Sequence, residues 1–333
     1  MAIADAFSSK EVLSYVGNRT GQEHLGETLF PERKVDGLEF DILSAGSSIP
    51  TIANVHAFDT EAEVGSRQAT LSAQELALVK RKIQLKEKDL IALRNPRTAQ
   101  EEQYLTQEVY NDTFAMVEAV RARVEKMRMD VLANGVVKLD GNGVNAEVDY
   151  GIPDDHKATR QFAASTDIVG VLEEWSDELD VAPTRILTSK AVRNAILKSE
   201  KIQELFKNSG ILPSNGGLNQ LLQGMGLPTI VVYDNKFKKE QPDGSKVTER
   251  YFPENKLVMF GDQTLGETVY GTTAEESRLL ASNNQIQSVG NIYAEIYESS
   301  QDPVGTFTKA VATALPSFPE ANNVFQAKIT GLD

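Results

Sequence analysis

Apolar residues keep a helical period longest between Thr98 and Ala133. Tyr110, Phe114, Val117, Val120, Val124, Met127 and Val131 recur at spacings of three and four, which sets them on one stripe of an α-helix. Thr98 and Glu101 have the spacing of a capping box, and Asn134-Gly135 supplies a left-handed stop. The pattern predicts one helix about 50 Å long at 1.5 Å per residue, well beyond the usual length. Glu118, Arg121, Arg123, Glu125, Lys126 and Arg128 carry both signs, as suits a helix lying on a surface or between subunits. Upstream, Ser72 and Glu75 repeat the capping-box spacing. Leu76, Val79, Ile83, Leu90 and Leu93 follow as a broken stripe. That predicts a second helix, with Lys80, Arg81, Lys82, Lys86 and Lys88 on a solvated basic face.

Ahead of these, Leu29 to Arg67 has no helical period. Leu38, Phe40 and Ile42 alternate with Glu39, Asp41 and Leu43, an imperfect strand pattern. Ile49, Ile52 and Val55 favour extended backbone, and Pro50 points to an edge position. After the long helix, residues 136–152 read as a β-hairpin around Asp140-Gly141-Asn142-Gly143. The pattern then turns α/β. Ile168, Val171, Leu172, Trp175 and Leu179 mark a helix, residues 185–188 a strand, and Ser189 opens a helix running through Phe206. Residues 227–234 are a buried strand, 237–252 an exposed hairpin around Pro242-Asp243-Gly244, and 256–261 a core strand. Residues 291–300 and the stretch NVFQAKI make a β-like tail.

Composition narrows the function. The chain has 333 residues and a formal net charge of −14, which disfavours duplex binding as a primary role, because phosphate neutralisation needs clustered Lys and Arg. With no cysteine, disulfides, Cys-ligated zinc and thiol catalysis are excluded. No secretory signal and no apolar run near 20 residues is visible. The expectation is a soluble acidic protein that binds no membrane and carries no cofactor.

Candidate chemistry is sparse. In GDQTLGET, residues 261–268, the phosphate-loop outline places Glu267 where a lysine must meet the terminal phosphates. In DGNGVNAEVD, residues 140–149, Val144 and Asn145 stand where a calcium loop needs an oxygen ligand and then glycine. His24, His56 and His156 lie in separate segments, so surface or capping roles are expected for them. Trp175 sits on an apolar stripe and is expected in a core. No strand–GxSxG–helix elbow is present. The chain offers no catalytic or metal constellation, and the expectation is a structural protein, not an enzyme.

The order of parts resembles a known family. LGETLFPERKVDGLEFDILSAGSSIPTIANVHAFDTEAEVGSR, RILTSKAVRNAILKSEKIQELF, FGDQTLGETVYGTTAEESRLL and DPVGTFTKAVATALPSFPEANNVFQAKI together are similar to the lambda-type major capsid proteins of tailed phages, over nearly the whole chain. The resemblance implies a mixed α+β class and the Hong Kong ninety-seven capsid fold. Residues 1–45 would be an N-terminal arm and 46–95 an extended E-loop with a helical extension. Residues 96–160 would be a P-domain with its spine helix and hairpin, 161–290 an A-domain, and 291–333 a return to the P-domain sheet.

That resemblance implies a subunit that self-assembles, as hexamers and pentamers, into an icosahedral head shell around double-stranded DNA. It would be assembled in the host bacterial cytoplasm and carried in the virion. The arm and loop would be extended because Leu29, Phe30, Leu38, Phe40, Ile42, Ile49, Ile52, Val55 and Phe58 bury against neighbouring subunits. Expected partners are copies of itself, a portal protein, a decoration protein in some heads, and packaged DNA held without sequence-specific contacts. Only a short segment precedes Leu29, so the scaffolding protein is expected to be a separate chain. No Lys–Asn cross-linking pair is identifiable. The alternatives are an encapsulin-like nanocompartment shell, a head-completion or minor tail ring, and a soluble enzyme of unknown class.

Overall fold

The structure is a computed structural model, and it describes residues 14–19, 21–44, 70–85, 87–141, 144–241, 243–281, 288–299 and 305–332. In chain order, the first elements are a short helix α1 (Leu25–Leu29), strands β1 (Glu32–Lys34), β2 (Glu39–Ser44), β3 (Thr70–Glu75) and β4 (Ala77–Gln84), helix α2 (Glu87–Arg94) and the long helix α3 (Ala99–Asn134). Then come β5 (Val136–Gly141), β6 (Val144–Asp149), β7 (Lys157–Gln161), α4 (Ile168–Asp177), β8 (Arg185–Thr188), α5 (Lys190–Lys198), α6 (Glu200–Ser209), α7 (Asn215–Gly224) and β9 (Thr229–Val232). The rest are β10 (Lys236–Glu240), β11 (Lys246–Arg250), β12 (Lys256–Phe260), β13 (Thr268–Gly271), α8 (Ala274–Ala281), β14 (Ser288–Val289), β15 (Ile292–Ser299), β16 (Gly305–Pro316), a 3₁₀ turn (Pro319–Asn323) and β17 (Phe325–Thr330).

The long helix forms as its sequence predicts. The Glu101 N–H donates to Thr98 Oγ1 at 3.1 Å, and Glu101 Oε2 reaches back to accept from the Arg97 N–H at 2.7 Å, so orphan donors at the start of the helix are satisfied from both sides. Gly135 ends it at φ 69, with its N–H on the Val131 carbonyl. A side chain there would meet Ile152.

Helix α3 packs across β16, β4 and β15. Strand β16 pairs β15 over residues 305–311 and β13 over 313–316. It pairs β4 over residues 307–314. Since β4 overlaps both partners, β15 and β13 share one edge of β16 and β4 takes the other. The face toward α3 carries Ala294, Ala310, Ala312 and Ala314, all buried. These small side chains let the helix approach the sheet closely, and Val117, Val120 and Val124 fill the interface. Strand β1 joins the far side of β13 in parallel.

The five-stranded sheet runs β7-β17-β12-β8-β9. One face, with Ile186, Leu257, Met259, Phe325 and Ala327, is covered by α4, α5, α6 and α7. Trp175 stacks between Phe162 and Phe325 at centroid distances of 6.2 and 5.3 Å, which makes it the core residue the sequence implied. The other face, with Leu187 and Val258, joins the core that includes the C-terminal half of α3.

Three sequence expectations change. The helix expected from Ser72 is instead two strands in different sheets, β3 paired with β2 and β4 paired with β16, and helix begins only at Glu87. Eight successive pairings with β16 hold β4 extended, and tertiary pairing overrides helix propensity. The helix expected from Ser189 through Phe206 breaks at Ser199, whose backbone is extended at ψ 133. There the Ser199 hydroxyl donates to the Thr166 carbonyl at 2.9 Å, and the Glu200 N–H donates to the Ala164 carbonyl. The tail does not return to one sheet: β15 and β16 lie in the six-stranded sheet, and β17 lies between β7 and β12 in the other.

Candidate assembly surface

Residues 15–19 and 21–32 lie alongside α3 and advance in its direction. Tyr15 stacks on Tyr110 with centroids 5.0 Å apart, and the Arg19 guanidinium sits 4.6 Å over the Phe114 ring. The Gln22 N–H donates to Glu118 Oε2 at 3.3 Å, and the Gly26 N–H to Glu125 Oε1 at 3.1 Å. Glu32 reaches Arg128 at 3.4 Å. The glycines permit this approach. A Cβ at Gly21 would stand 2.4 Å from Glu118, and one at Gly26 would stand 2.3 Å from Glu125.

The centre of this contact is a buried charge cluster. Glu125 is 0% exposed and Arg128 is 1% exposed, and they approach to 3.6 Å. The Tyr233 hydroxyl donates to Glu125 Oε1 at 2.7 Å. Arg128 Nε donates to Thr268 Oγ1 at 2.7 Å, whose own hydroxyl donates to the Phe30 carbonyl at 2.9 Å. Burial first, then the Glu125 charge, raises the Tyr233 phenol far above its ordinary pKa. Burial and Glu32 do the same to Tyr270. The cluster therefore ties residues 26–32, α3, β13 and the segment after β9 together. Sequence reasoning placed Glu125 and Arg128 on a solvated or inter-subunit face. The missed signal is that Met129, Leu132 and Ala133 make the last turns apolar on a second side, so the helix there is buried on most of its circumference, with Lys126 and Asp130 left partly exposed.

The proposed contact residues divide. Leu29 and Phe30 are buried in this chain's own core, Phe30 against Phe318 at 5.8 Å. Phe40 is buried there too, in the same cluster as Leu76. For these three the expectation of burial against a neighbour gives way, because β13, α3 and the segment after β16 already cover them. Leu38 is 50% exposed. Ile42 pairs with Ser72 in the β2–β3 ladder. Ile49, Ile52, Val55 and Phe58 lie outside the described residues, as does His56. His24 and His156 are buried, not at the surface as expected. His24 meets Tyr251 edge-on at 5.5 Å and makes no side-chain cap to α1.

What remains open is a different surface. Among the described residues β4 pairs only with β16, so its second edge carries no strand. Leu78 on this strand is 57% exposed. Leu78 stands opposite Thr313, on the face away from α3; beyond the other end of β4, Ile91 of α2 is 66% exposed and Tyr104 of α3 is 63% exposed. A long open strand edge is what soluble monomers cover or blunt. Arg81 on the same strand pairs with Glu240 of the β10–β11 hairpin at 2.5 Å.

The GDQTLGET stretch, residues 261–268, serves the backbone and the surface. Glu267 pairs with Arg33 at 2.5 Å, and a Cβ at Gly266 would stand 2.1 Å from the Ser317 carbonyl oxygen, so the glycine serves a backbone crossing. Among the described residues no group of three or more His, Asp or Glu side chains is placed to hold a metal, and no helix is long and apolar enough to cross a membrane.

Comparison with known proteins agrees with this architecture. The sequence matches the family described as phage major capsid protein E over residues 13–329. No curated protein matches it. Among solved structures, it is similar to a putative prophage capsid protein from E. coli CFT073, at 14% identity and a TM-score of 0.62, with 97% of this chain and 99% of that chain covered. It is also similar to a phage-related protein from Bordetella bronchiseptica RB50, at 11% identity and a TM-score of 0.55, covering 96% of each. At these identities the likeness is one of fold, and the family match carries the assignment. The chain belongs to the phage major capsid protein E family and is a structural subunit of a capsid shell.

Proposed function

We propose that this chain forms the icosahedral head shell of a tailed phage, as hexamers and pentamers enclosing double-stranded DNA. The observation that carries this is the edge of β4 that no strand covers among the described residues, with Leu78 exposed on that strand, an edge suited to cover by another copy. Each subunit then makes heterologous contacts that close into rings and a shell, and many modest interfaces add up to a stable container. In this reading residues 1–45 are the N-terminal arm, 46–95 the E-loop, 96–160 the P-domain with α3 as spine, 161–290 the A-domain, and 291–333 the closing strands. Leu38, Ile42, Ile49, Ile52, Val55 and Phe58 are the arm and loop residues proposed to meet neighbours.

The subunit acts as structure, without catalysis. A separate scaffolding protein, a portal and, in some heads, a decoration protein would complete assembly in the host cytoplasm. The family match disfavours the nanocompartment alternative.

The test is sedimentation followed by electron microscopy of the purified chain, expressed with and without neighbouring phage genes. Closed shells of uniform size are expected, and their dependence on a second gene product identifies the scaffold. Small soluble species under every condition would overturn the reading.

A further inference from the structure

Strands β7, β17 and β12 bring three lysines to one face of the five-stranded sheet. Lys256 stands directly opposite Lys328 in the antiparallel β12–β17 ladder. Lys157 stands opposite Gln326, and Thr159 opposite Lys328, in the parallel β7–β17 ladder. Directly paired residues share a face, so all five side chains border the same space beyond the C-terminal end of α3. That space is a shallow cavity of about 260 Å3, lined by Lys157, Lys256 and Lys328 with Asn134, Thr159 and Gln326.

The charges there do not balance. Lys157 pairs with the fully exposed Asp154 at 3.1 Å. Among the described residues Lys256 and Lys328 form no ion pair. The last turn of α3 holds no basic residue, and its end supplies roughly half a negative charge. Three ammonium groups thus face one exposed carboxylate and about half a charge more. Like charges directly opposite in a ladder are destabilising. Burial, then the nearby Lys328 and Lys157, hold the Lys256 pKa below the ordinary lysine value. A bound anion would remove that penalty.

The lining also indicates which anion. It has no large apolar side chain, and lysine is depleted at the cores of protein–protein interfaces. Lysine binds phosphate as a point charge, without the planar geometry a bidentate guanidinium needs. With a net charge of −14, the rest of the chain repels a polyanion, so contact would concentrate where the local sign reverses.

We propose that Lys157, Lys256 and Lys328 form a phosphate site that holds the backbone of the packaged nucleic acid without reading its sequence. This rests on the reading of the chain as a shell around DNA.

The test is lysine acetylation footprinting of the full chain by mass spectrometry, with two added probes and one comparison of particles. Inorganic phosphate and a short DNA duplex are added to dispersed subunits at low salt, and DNA-filled particles are compared with empty ones. Acetylation of Lys256 and Lys328 is expected to slow several-fold with duplex and in filled particles, while Lys238 in the β10–β11 hairpin is unchanged. Protection should fade with salt, by about 0.9 in log K per log salt for each phosphate held. The Lys328→Gln variant, altered at an exposed position, and the Lys256→Met/Lys328→Gln pair should retain less duplex and still form shells. Protection by neither probe, or by inorganic phosphate alone, would overturn the proposal. So would full protection in empty shells, which would mean that a second copy of the chain covers the lysines. If no particles form, the shell reading fails by itself, and the duplex arm on dispersed subunits still decides the site.

Discussion

Gly26 donates its backbone N–H to the buried carboxylate of Glu125, 99 residues further along the chain. A backbone amide near the start of the chain thus satisfies an ionisable group at the centre of the subunit, and the lack of a side chain at Gly26 makes room for it. Gly26→Ala would bring a Cβ to 2.3 Å from Glu125 Oε2 and 2.7 Å from Arg128 Cδ. Glu125 cannot swing aside without losing the Tyr233 bond. The expected loss is about 1–3 kcal/mol, read by denaturant unfolding of dispersed subunits. Gly21→Ala is the control. Its Cβ would meet Glu118, which is partly exposed and paired with Arg121, so that side chain can move and the loss should stay within about 0.5 kcal/mol.

The Glu125–Arg128 pair gives a second expectation. Removing Arg128 leaves Glu125 buried without its counter-ion, which costs about 3–5 kcal/mol, and removing Glu125 leaves the buried Arg128 only its contacts to the partly exposed Glu32 and Glu27. Glu125→Met and Arg128→Met should each be strongly destabilised. The double variant should recover much of the loss, because a well-packed apolar pair can replace a buried ion pair. A double-mutant cycle by urea unfolding measures this, and strictly additive losses would refute the coupling.

The open surface separates assembly from folding. Leu78→Lys and Ile91→Asp alter exposed side chains, so subunit stability should change by no more than about 0.5 kcal/mol. Shell formation should fail or slow sharply in the same variants. Sedimentation reads assembly and circular dichroism reads the fold. Normal particles from both variants would place the inter-subunit contacts elsewhere.

Alkaline pH should weaken the subunit through its buried phenols. Burial, then the charges of Glu125 and Glu118, push the Tyr251 pKa up to about 12. The folded state keeps its proton over the window from about 10, the ordinary tyrosine value, to about 12. The stabilisation is complete below that window and declines as pH rises through it. One such phenol contributes a slope of up to about 1.4 kcal/mol per pH unit. Tyr251→Phe should flatten it, as followed by phenolate absorbance and by unfolding at stepped pH.

The sequence revealed elements whose own residues enforce them. The long helix was legible because its cap, stripe and stop all agree over Thr98–Gly135, and the β5–β6 pair because β-favouring runs stand on both sides of a glycine-rich stretch. Strand β4 was not legible. Leu76, Val79 and Ile83 fit a helical stripe as well as a strand, and Lys80 to Lys82 obscure the alternation. What decides it is β16, more than 220 residues away in sequence, which a local pattern cannot register. The same limit hid the cluster around Glu125 and Arg128. Its partners Gly26, Tyr233 and Thr268 come from three distant segments, and no spacing links them. The phage capsid resemblance supplied the fold, but the burial of Leu29, Phe30 and Phe40 within the subunit came only with the structure.

The place of β17 has a consequence for biosynthesis. This strand lies between β7 and β12, and its Gln326 side chain donates to the carbonyls of Val131 and Leu132 near the end of α3. The middle of the sheet therefore waits for residues 325–330 to leave the ribosome. A chain broken off anywhere before Phe325 leaves β7 with no strand to join and the end of α3 short of those donors. Incomplete translation products then cannot reach the native subunit, and a lattice of many identical copies is guarded against incorporating them.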